Sequence, residues 1–395
     1  MSDRMVIEPY ERATVGILSR RTPDDPRRLF GLPTSYFAEC AEAAESLGMR
    51  AVVFEADDVD PVKDTVAAAA WSDGRWHGRV QIPMPDVIYD RGPMFDPSYT
   101  PSLNRIRTRL MDAGIPFINP LELLRFSSDK MGAHRYLNGR GIPTPDTTFA
   151  DHCSIQAYLD RYDYLFLKPV NGSNGDGIIE IERASRDMFL LRYKLSRFSV
   201  RSVQHLVRTA SFLTGNPVTG ENSYLVQQGI SPELPGAKRY LRFDIRAIMQ
   251  KDEHREWGLT GIVARVGQTD APTTNLSTGA RAELAEPILD AVYGTSQRQA
   301  ILSSIRHICL KICRDLEETV GTFGELGIDI IPDVCGRPRV IEINAKPGRA
   351  SFKRIAFSED VTEADRQRFL DIRQRSVSMP FRYASTLVSC AGVAS

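Results

Sequence analysis

The sequence predicts a mixed α/β protein built from more than one unit, for three reasons. At 395 residues the chain exceeds the size of an ordinary single core, so we expect two or three domains or tightly packed subdomains. Strand and helix patterns alternate in the first third, and strand pairs joined by turns follow. The composition, with 42% hydrophobic and 25% charged residues, is typical of a globular protein.

Residues 1–119 show a βαβ pattern, which predicts a small, largely parallel sheet flanked by helices. Strands are predicted at 14–18, 51–54, 86–90 and 116–119, and helices at 34–47 and 102–113.

Residues 120–228 begin with a helix start at Lys130 and a linker at 139–145. A strand at 164–168, a glycine-rich loop at 171–177 and a strand at 177–181 then predict a β-hairpin whose loop closes over a ligand.

Residues 229–355 form the third predicted unit, and 356–395 a helical tail. The third unit is predicted to contain an antiparallel pair at 242–249 and 257–266, a helix at 297–320 and a hairpin at 328–343. We expect the tail to be helical to about Arg373.

The charge and the hydropathy pattern exclude several classes of protein. Lys plus Arg and Asp plus Glu both number 50, so no global field attracts nucleic acid or an anionic membrane. The first ten residues do not resemble a secretory signal, and no apolar run approaches the roughly 20 residues that span a bilayer. We therefore expect a cytoplasmic protein without nucleic-acid or membrane partners.

The six cysteines are scattered without a Cys-x-x-Cys pair, which argues against a disulfide framework or a zinc ribbon. His307, Cys309 and Cys313 are either metal ligands or, as we favour, core cysteines beside a surface histidine. The apolar face at 301–316 supports the second interpretation.

The last predicted hairpin carries the most informative polar residues. Glu342 and Asn344 share one face of a strand, and Asp329 on the partner strand lies beside them. Two carboxylates and an amide oxygen suit a magnesium ion that also contacts nucleotide phosphates. The alternative is a solvated strand face, which fits poorly because isoleucines at 328, 330, 341 and 343 bury the other face.

Several cations accompany this acidic set. Lys168 precedes the glycine-rich loop, whose backbone amides line a phosphate or, alternatively, form a surface turn. Lys130 is a phosphate ligand or an ordinary surface lysine. On the strand at 242–249, alternation places Arg242, Asp244 and Arg246 on one face, and Arg265 ends the partner strand. At least one arginine is expected to meet phosphate.

The segment 224–230 is an apolar strand ending in amides, which either faces an adenine edge or is an ordinary strand terminus. No nucleophile-elbow pattern and no histidine placed as an evident base is present. Cations, a metal site and a closing loop are what phosphoryl transfer needs.

Taken in order, these features resemble the ATP-grasp superfamily over about residues 120–352, and in particular the branch named for the spore-coat-associated YheC and YheD proteins. The resemblance rests on Lys130, Lys168 with its loop, Gln227-Gln-Gly-Ile230, Asp244-Ile-Arg246, Arg265-Val-Gly267, Thr274-Asn-Leu-Ser-Thr-Gly279, Gly327-Ile-Asp329, Glu342-Ile-Asn-Ala-Lys-Pro-Gly348 and Met379-Pro-Phe-Arg-Tyr-Ala384. One departure is Ala280, where the family usually has a second glycine.

The resemblance implies an ATP-grasp fold, in which an N-terminal domain precedes a central and a C-terminal lobe that hold ATP between them. The residues that it implies as ATP contacts are Lys130, Lys168, Gly172, Ser173, Asn174, Gly175, Gln227, Gln228, Ile230 and Glu233. It implies magnesium ligands at Asp329, Glu342 and Asn344. It also implies catalytic roles for Arg246, Arg265 and Asn275, and a substrate contact at Gly279. Arg91 and Arg349 are candidate anchors for a substrate carboxylate or, alternatively, surface arginines.

The reaction implied is ATP-dependent joining of a carboxylate to an amine, with an amino acid or peptide as substrate and two Mg²⁺ ions, replaceable by Mn²⁺, as cofactor. A homodimer is the oligomeric state common among relatives. Two alternatives remain open: a nucleotide-binding, coat-associated protein without turnover, and an ATP-grasp kinase.

Overall fold

A computed structural model describes residues 12–21, 29–94, 96, 98–172, 175–220, 223–230, 242–268 and 271–391. These residues form three β-sheets, each flanked by helices. The predicted boundaries at 119, 228 and 355 stay a prediction, and each sheet falls within one of the first three predicted segments.

The first sheet is built from the N-terminal segment. Its strands are β1 (Thr14–Leu18), β2 (Arg50–Phe54), β3 (Val59–Asp60), β4 (Thr65–Ser72), β5 (Arg75–Pro83), β6 (Val87–Asp90) and β7 (Phe117–Ile118), with helices α1 (Thr34–Ser46) and α2 (Thr100–Asp112). The strand order is β3-β4-β2-β1-β6-β7, and β5 pairs with β4. The parallel pairs of β1 with β2 and β6, and of β6 with β7, agree with the βαβ prediction.

The prediction of a small, largely parallel sheet is wrong at one edge, because β4 runs antiparallel to β2, β3 and β5. Strand β4 was not predicted from the sequence, because the alanines at 67–70 favour a helix. The signal that identifies this hairpin is its turn. Asp73 and Gly74 adopt φ of 52° and 71°, as a two-residue hairpin turn requires.

The second sheet follows helices α3 (Leu121–Ser128) and α4 (Lys130–Gly139). Its elements are β8 (Thr147–Phe149), α5 (His152–Arg161), β9 (Tyr164–Pro169), β10 (Ile179–Ser185), β11 (Met188–Tyr193), β12 (Ser196–Val200), α6 (Val203–Thr214) and β13 (Tyr224–Gln228). The order is β12-β11-β10-β9-β13-β8. The predicted hairpin around the glycine-rich loop is confirmed as the antiparallel pair of β9 and β10.

The third sheet contains the predicted strand pair and the final hairpin. Its elements are β14 (Phe243–Lys251), β15 (Trp257–Val266), β16 (Arg281–Glu283), α7 (Ala285–Tyr293), α8 (Thr295–Val320), β17 (Glu325–Pro332) and β18 (Pro338–Asn344), in the strand order β16-β15-β14-β17-β18. One face packs on α8, where Cys309 and Cys313 are buried. His307 is exposed, so the prediction of core cysteines beside a surface histidine is confirmed.

The C-terminal segment forms α9 (Ala350–Ala356) and α10 (Glu363–Ala391). The prediction that the helix ends near Arg373 is wrong, because α10 continues through Pro380. Proline removes one helical hydrogen bond. Burial of Phe381 and Tyr383 in the core of the first sheet offsets that loss. Among the described helices, none is long and apolar enough to cross a bilayer.

Asn119 joins the first sheet to the third. It is 2% exposed and has a φ of 66°. Its amide nitrogen donates to the carbonyls of Glu325, at 2.9 Å, and Ala345, and its oxygen accepts from the backbone N–H groups of Gly324 and Glu325, both at 3.1 Å. One side chain therefore satisfies four buried backbone groups, three at the start of β17 and one directly after β18.

We expect Asn119→Ala to lower the free energy of unfolding by about 2–4 kcal/mol, because it leaves buried backbone groups without partners and keeps a Cβ at a left-handed φ. Urea unfolding followed by circular dichroism measures the change. Asn119→Gly is the matched control, since it removes the same hydrogen bonds but adopts a left-handed φ without strain. Equal stability of wild type and both variants would contradict this role.

Candidate active site

A cavity of about 410 Å³ lies between the second and third sheets, within the size range of ligand pockets. Its lining includes the predicted residues Lys130, Lys168, Gly172, Gly175, Gln227, Gln228, Ile230, Arg246, Arg265, Asn275, Asp329, Glu342 and Asn344. Ser173, Asn174 and Glu233 lie outside the described residues. Arg91, Gly279 and Arg349 are not among the described residues that line the cavity.

The pairing of β17 with β18 brings the acidic set together. Asp329 lies opposite Glu342, and Gly327 lies opposite Asn344. Ile328 and Ile330 are buried on the other face as predicted, whereas Ile341 is only partly buried, and Ile341 and Ile343 line the cavity. Asp329 is only 4% exposed, so the interpretation as a solvated strand face is wrong.

Two guanidiniums hold the carboxylate of Asp329. Arg246 donates to both of its oxygens, and Arg265 contacts the second oxygen at 2.9 Å. Arg265 also forms a bidentate pair with Asp244, at 2.7 and 2.6 Å. Burial alone would raise the pKa of Asp329, but the two arginines hold it at about 2. The carboxylate therefore stays ionised and fixed in position.

Glu342 differs from Asp329, because it has no hydrogen-bond or ion-pair partner among the described residues. Burial and the charge of Asp329 raise its pKa, and Lys130 and Lys168 act in the opposite direction. The amide nitrogen of Asn344 faces Asp329 at 3.4 Å, which leaves the amide oxygen for another partner. These oxygens fit the hard-ligand preference of magnesium. Among the described residues, no group of three or more His, Cys, Asp or Glu side chains is placed to hold a metal.

Two lysines enter the cavity from the other wall. Lys168 donates to the side-chain oxygen of Gln227 at 2.5 Å, and burial lowers its pKa to about 8. Lys130 donates to the carbonyl oxygens of Pro169, at 3.1 Å, and Gly172, at 3.0 Å. Burial lowers the pKa of Lys130 as well. The interpretation of Lys130 as an ordinary surface lysine is wrong.

The glycine-rich loop approaches the third sheet across the cavity. Gly172, Gly175 and Gly177 have φ values of 144°, 75° and 74°, which disfavour side chains. A Cβ on Gly175 would lie 3.1 Å from a methyl carbon of Thr273. Close packing here explains the glycines better than a free surface turn.

The amides that end β13 lie at the other end of the cavity. Gln227 donates to the hydroxyl of Thr147 at 2.9 Å, and Gln228 accepts from the backbone N–H of Asp146 at 3.3 Å. Both glutamine side chains are thus fixed before a ligand binds. Aliphatic residues, including Leu225 and Ile343, line the cavity with them.

The loop between β15 and β16 presents Asn275. Its side-chain oxygen accepts from the backbone N–H of Ser277 at 3.2 Å. Gly279 has a φ of 94°, and a Cβ there would lie 2.1 Å from the side-chain nitrogen of Gln268. Ala280 is buried and lies outside the left-handed region, so the backbone does not require a second glycine there.

Arg91 and Arg349 meet at Glu325 rather than in the cavity. Arg349 is 3% exposed and donates to Glu325, to the hydroxyl of Tyr36 at 2.9 Å and to the carbonyl of Ser376 at 2.9 Å. Arg91 contacts Glu325 at 3.3 Å. The interpretation as surface arginines is wrong for both. Their guanidiniums join the first sheet to the third.

Sequence reasoning missed Lys346 and Ser351, which line the cavity beyond Asn344. Lys346 lies within Asn344-Ala-Lys-Pro-Gly348, so a charged residue directly after the acidic strand was the available signal. For Ser351 the sequence offers no comparable signal.

Comparison with known proteins identifies the family. A family model described as YheC/D like ATP-grasp matches residues 114–387. The chain belongs to this family. The resemblance found in the sequence is therefore confirmed, including its YheC and YheD branch.

Two curated relatives and one solved structure illustrate the similarity. The endospore coat-associated protein YheD of Bacillus subtilis (strain 168) is 23% identical over 350 residues, which cover 86% of this chain and 73% of that protein. A tetrahydromethanopterin:alpha-L-glutamate ligase of Methanocaldococcus jannaschii is 23% identical over 243 residues, 61% of this chain and 66% of that protein.

The solved structure is that of a D-alanine–D-alanine ligase from Bacillus anthracis complexed with ATP. It has a TM-score of 0.53 and 10% sequence identity, and the match covers 95% of this chain and 98% of that one. The predicted ATP-grasp fold is thereby confirmed.

If Lys168 contacts a phosphate, ATP affinity should fall as the pH rises from 7 to 9. In the free folded protein the pKa of Lys168 is about 8, below its ordinary 10.5, so above pH 8 the lysine must take up a proton to bind. Each pH unit there weakens binding by up to about tenfold. Calorimetry with a non-hydrolysable ATP analogue measures this dependence. Lys168→Arg stays charged and should flatten the profile, and a flat wild-type profile would rule out the contact.

Proposed function

We propose that this protein is an ATP-dependent carboxylate-amine ligase that forms an amide bond and releases ADP and phosphate. The observation that carries the proposal is the arrangement of charge across one cavity. Lys130 and Lys168 lie on one wall, and Glu342 and the ion-paired Asp329 lie on the other. Such a site positions a triphosphate and neutralises the charge that phosphoryl transfer develops.

In this proposal the two lysines and the amides of the glycine-rich loop hold the phosphates, and Gln227 to Ile230 face the adenine. Asp329, Glu342 and Asn344 would hold two magnesium ions, replaceable by manganese. When bound, the metal supplies positive charge next to the phosphate oxygens. Arg246 and Arg265 keep Asp329 ionised, and they stabilise negative charge on the transferred phosphoryl group.

The chemistry proceeds in two steps. An oxygen of the substrate carboxylate attacks the γ-phosphorus, the bond to the β-phosphate oxygen breaks, and ADP leaves with that electron pair. An amine then attacks the acyl carbon of the acyl phosphate, phosphate leaves, and the amine loses one proton. The residues named here position the reactants and carry charge, and none forms a covalent intermediate.

Two relatives support the choice of a ligase. The tetrahydromethanopterin:alpha-L-glutamate ligase and the D-alanine–D-alanine ligase both join an amino acid to a second molecule, as their names state. By analogy, we propose an amino acid or peptide as substrate here. A cytoplasmic location and a homodimer are part of the same proposal.

The test follows ADP and phosphate release with Mg²⁺–ATP across a panel of amino acids and dipeptides, with mass spectrometry of the products. We expect ADP release that depends on both substrates, together with an amide product. ADP release that yields a stable phosphorylated product would identify a kinase. ATP binding without turnover across the panel would favour a binding role such as the coat association named for YheD.

Glu342→Gln tests the proposed metal site with little risk to folding, because Glu342 has no partner among the described residues. We expect turnover to fall by about 100-fold or more, since an oxygen that holds positive charge beside the phosphates is lost. The control is Glu318→Gln on the solvent-facing side of α8, where the side chain is 67% exposed and pairs with Arg140 at the surface. Turnover in Glu342→Gln equal to that of the control would remove this residue from the metal site.

A further inference from the structure

Lys346 is a buried cation at the edge of the cavity, two residues beyond β18. Its side chain is 10% exposed, and its ammonium donates to a carboxylate oxygen of Asp90 and to the carbonyl of Gly92, both at 2.7 Å. Both acceptors belong to the end of β6 and the loop after it. The first sheet thus fixes the position of a lysine that lines the cavity.

The charges around Lys346 do not cancel. Asp90 also accepts a bidentate pair from Arg107, at 2.6 and 3.0 Å, and the side chains of Asp90 and Arg107 are 0% and 3% exposed. Two cations therefore share one carboxylate. When both side chains are protonated, the buried excess charge is costly unless an opposite charge accompanies it.

The ammonium of Lys346 has an unused donor. It carries three hydrogens, of which two have acceptors within the described part of the chain. Because Lys346 lines the cavity, its remaining donor is within reach of a ligand bound there.

Neighbouring groups add to the positive charge. Arg91 and Arg349 share Glu325, and both donate to the carbonyl of Pro347, at 3.3 and 3.2 Å. The backbone directly after Lys346 is therefore flanked by a second buried cluster in which cations outnumber carboxylates.

Ser351 provides a second donor. It is 3% exposed and lines the cavity, and its hydroxyl has no hydrogen-bond partner among the described residues. Its hydroxyl is therefore available to a ligand in the cavity.

We propose that Lys346 and Ser351 form a subsite for a substrate carboxylate that stays ionised throughout the reaction. The substrate class is then an amino acid or peptide that carries a free carboxylate besides its reacting group. Asp90 and Arg107 are positioning residues, since they act through Lys346. This inference rests on the proposed ligase function, and it adds what the ligase recognises.

The experiment compares amino acids and dipeptides with their carboxamide counterparts as substrates, in wild type, Lys346→Gln and Lys346→Arg. For wild type we expect the KM of the active free acid to be at least about tenfold below that of its amide. Lys346→Gln should raise the KM of the acid by about 10- to 100-fold, because a charge-assisted hydrogen bond is lost, and should leave the KM of ATP unchanged. Lys346→Arg should restore part of the difference.

The variant is expected to fold, because Arg107 and Asp90 remain as a neutral pair. Lys353→Gln on the neighbouring helix, where the lysine is 53% exposed, is the matched control and should behave as wild type. Two results would overturn the subsite. One is a carboxamide whose KM in wild type equals that of its acid, and the other is a KM of the acid that is unchanged in Lys346→Gln.

Failure of the ligase function is separable from failure of the subsite. If no compound stimulates ADP release, the thermal midpoint of protein saturated with Mg²⁺ and the β,γ-imido analogue of ATP is measured with the same acids and amides. If the subsite exists, an acid raises the thermal midpoint of wild type and of Lys353→Gln, and its amide does not. In Lys346→Gln neither the acid nor the amide raises the thermal midpoint. The absence of any rise in wild type, or an equal rise in Lys346→Gln, would reject the subsite.

Discussion

The ion pairs at Asp329 are the constraint on which the cavity depends. Its carboxylate receives two guanidiniums, and Arg265 carries the network on to Asp244. Each of these residues is on a different strand from its partner, so the pairs lock β14, β15 and β17 side by side. A buried charge that loses its partner is strongly destabilising. The network therefore fixes the strand register and the position of the acidic face together.

Strand β17 also connects this network to the rest of the protein. Its first residue, Glu325, receives Arg91 and Arg349, and Asn119 holds the backbone at the same point. Asp329 lies four residues further along the strand. A rigid strand thus relates the first sheet to the cavity, and Lys346 makes a second connection through Asp90.

Local patterns predicted the parts of the fold that depend on periodicity. The alternation along β14 correctly placed Arg246 with Asp244 on one face, and the isoleucines of β17, Ile328 and Ile330, revealed which side of that strand is buried. Cysteines on the apolar face of α8 were recognisable for the same reason. Side-chain period is a property of neighbouring residues, so one sequence is sufficient to read it.

Contacts between segments that are distant in the sequence could not be predicted from local patterns. Nothing near Arg349 in the sequence indicates Glu325, Tyr36 and Ser376 as its partners, so a substrate anchor and a buried structural arginine looked alike. The end of α10 was misjudged for a related reason. Pro380 suggests a stop, and only the core of the first sheet explains why the helix continues.

The hydrogen bonds of Lys130 have a consequence for the order of events during nucleotide binding. Its ammonium holds the carbonyls of Pro169 and Gly172, which flank the entry to the glycine-rich loop. A phosphate that recruits this lysine competes with both carbonyls, so it binds most favourably to the conformation in which the loop entry is released. Loop position and nucleotide occupancy are then linked equilibria, and each shifts the other by the same free energy.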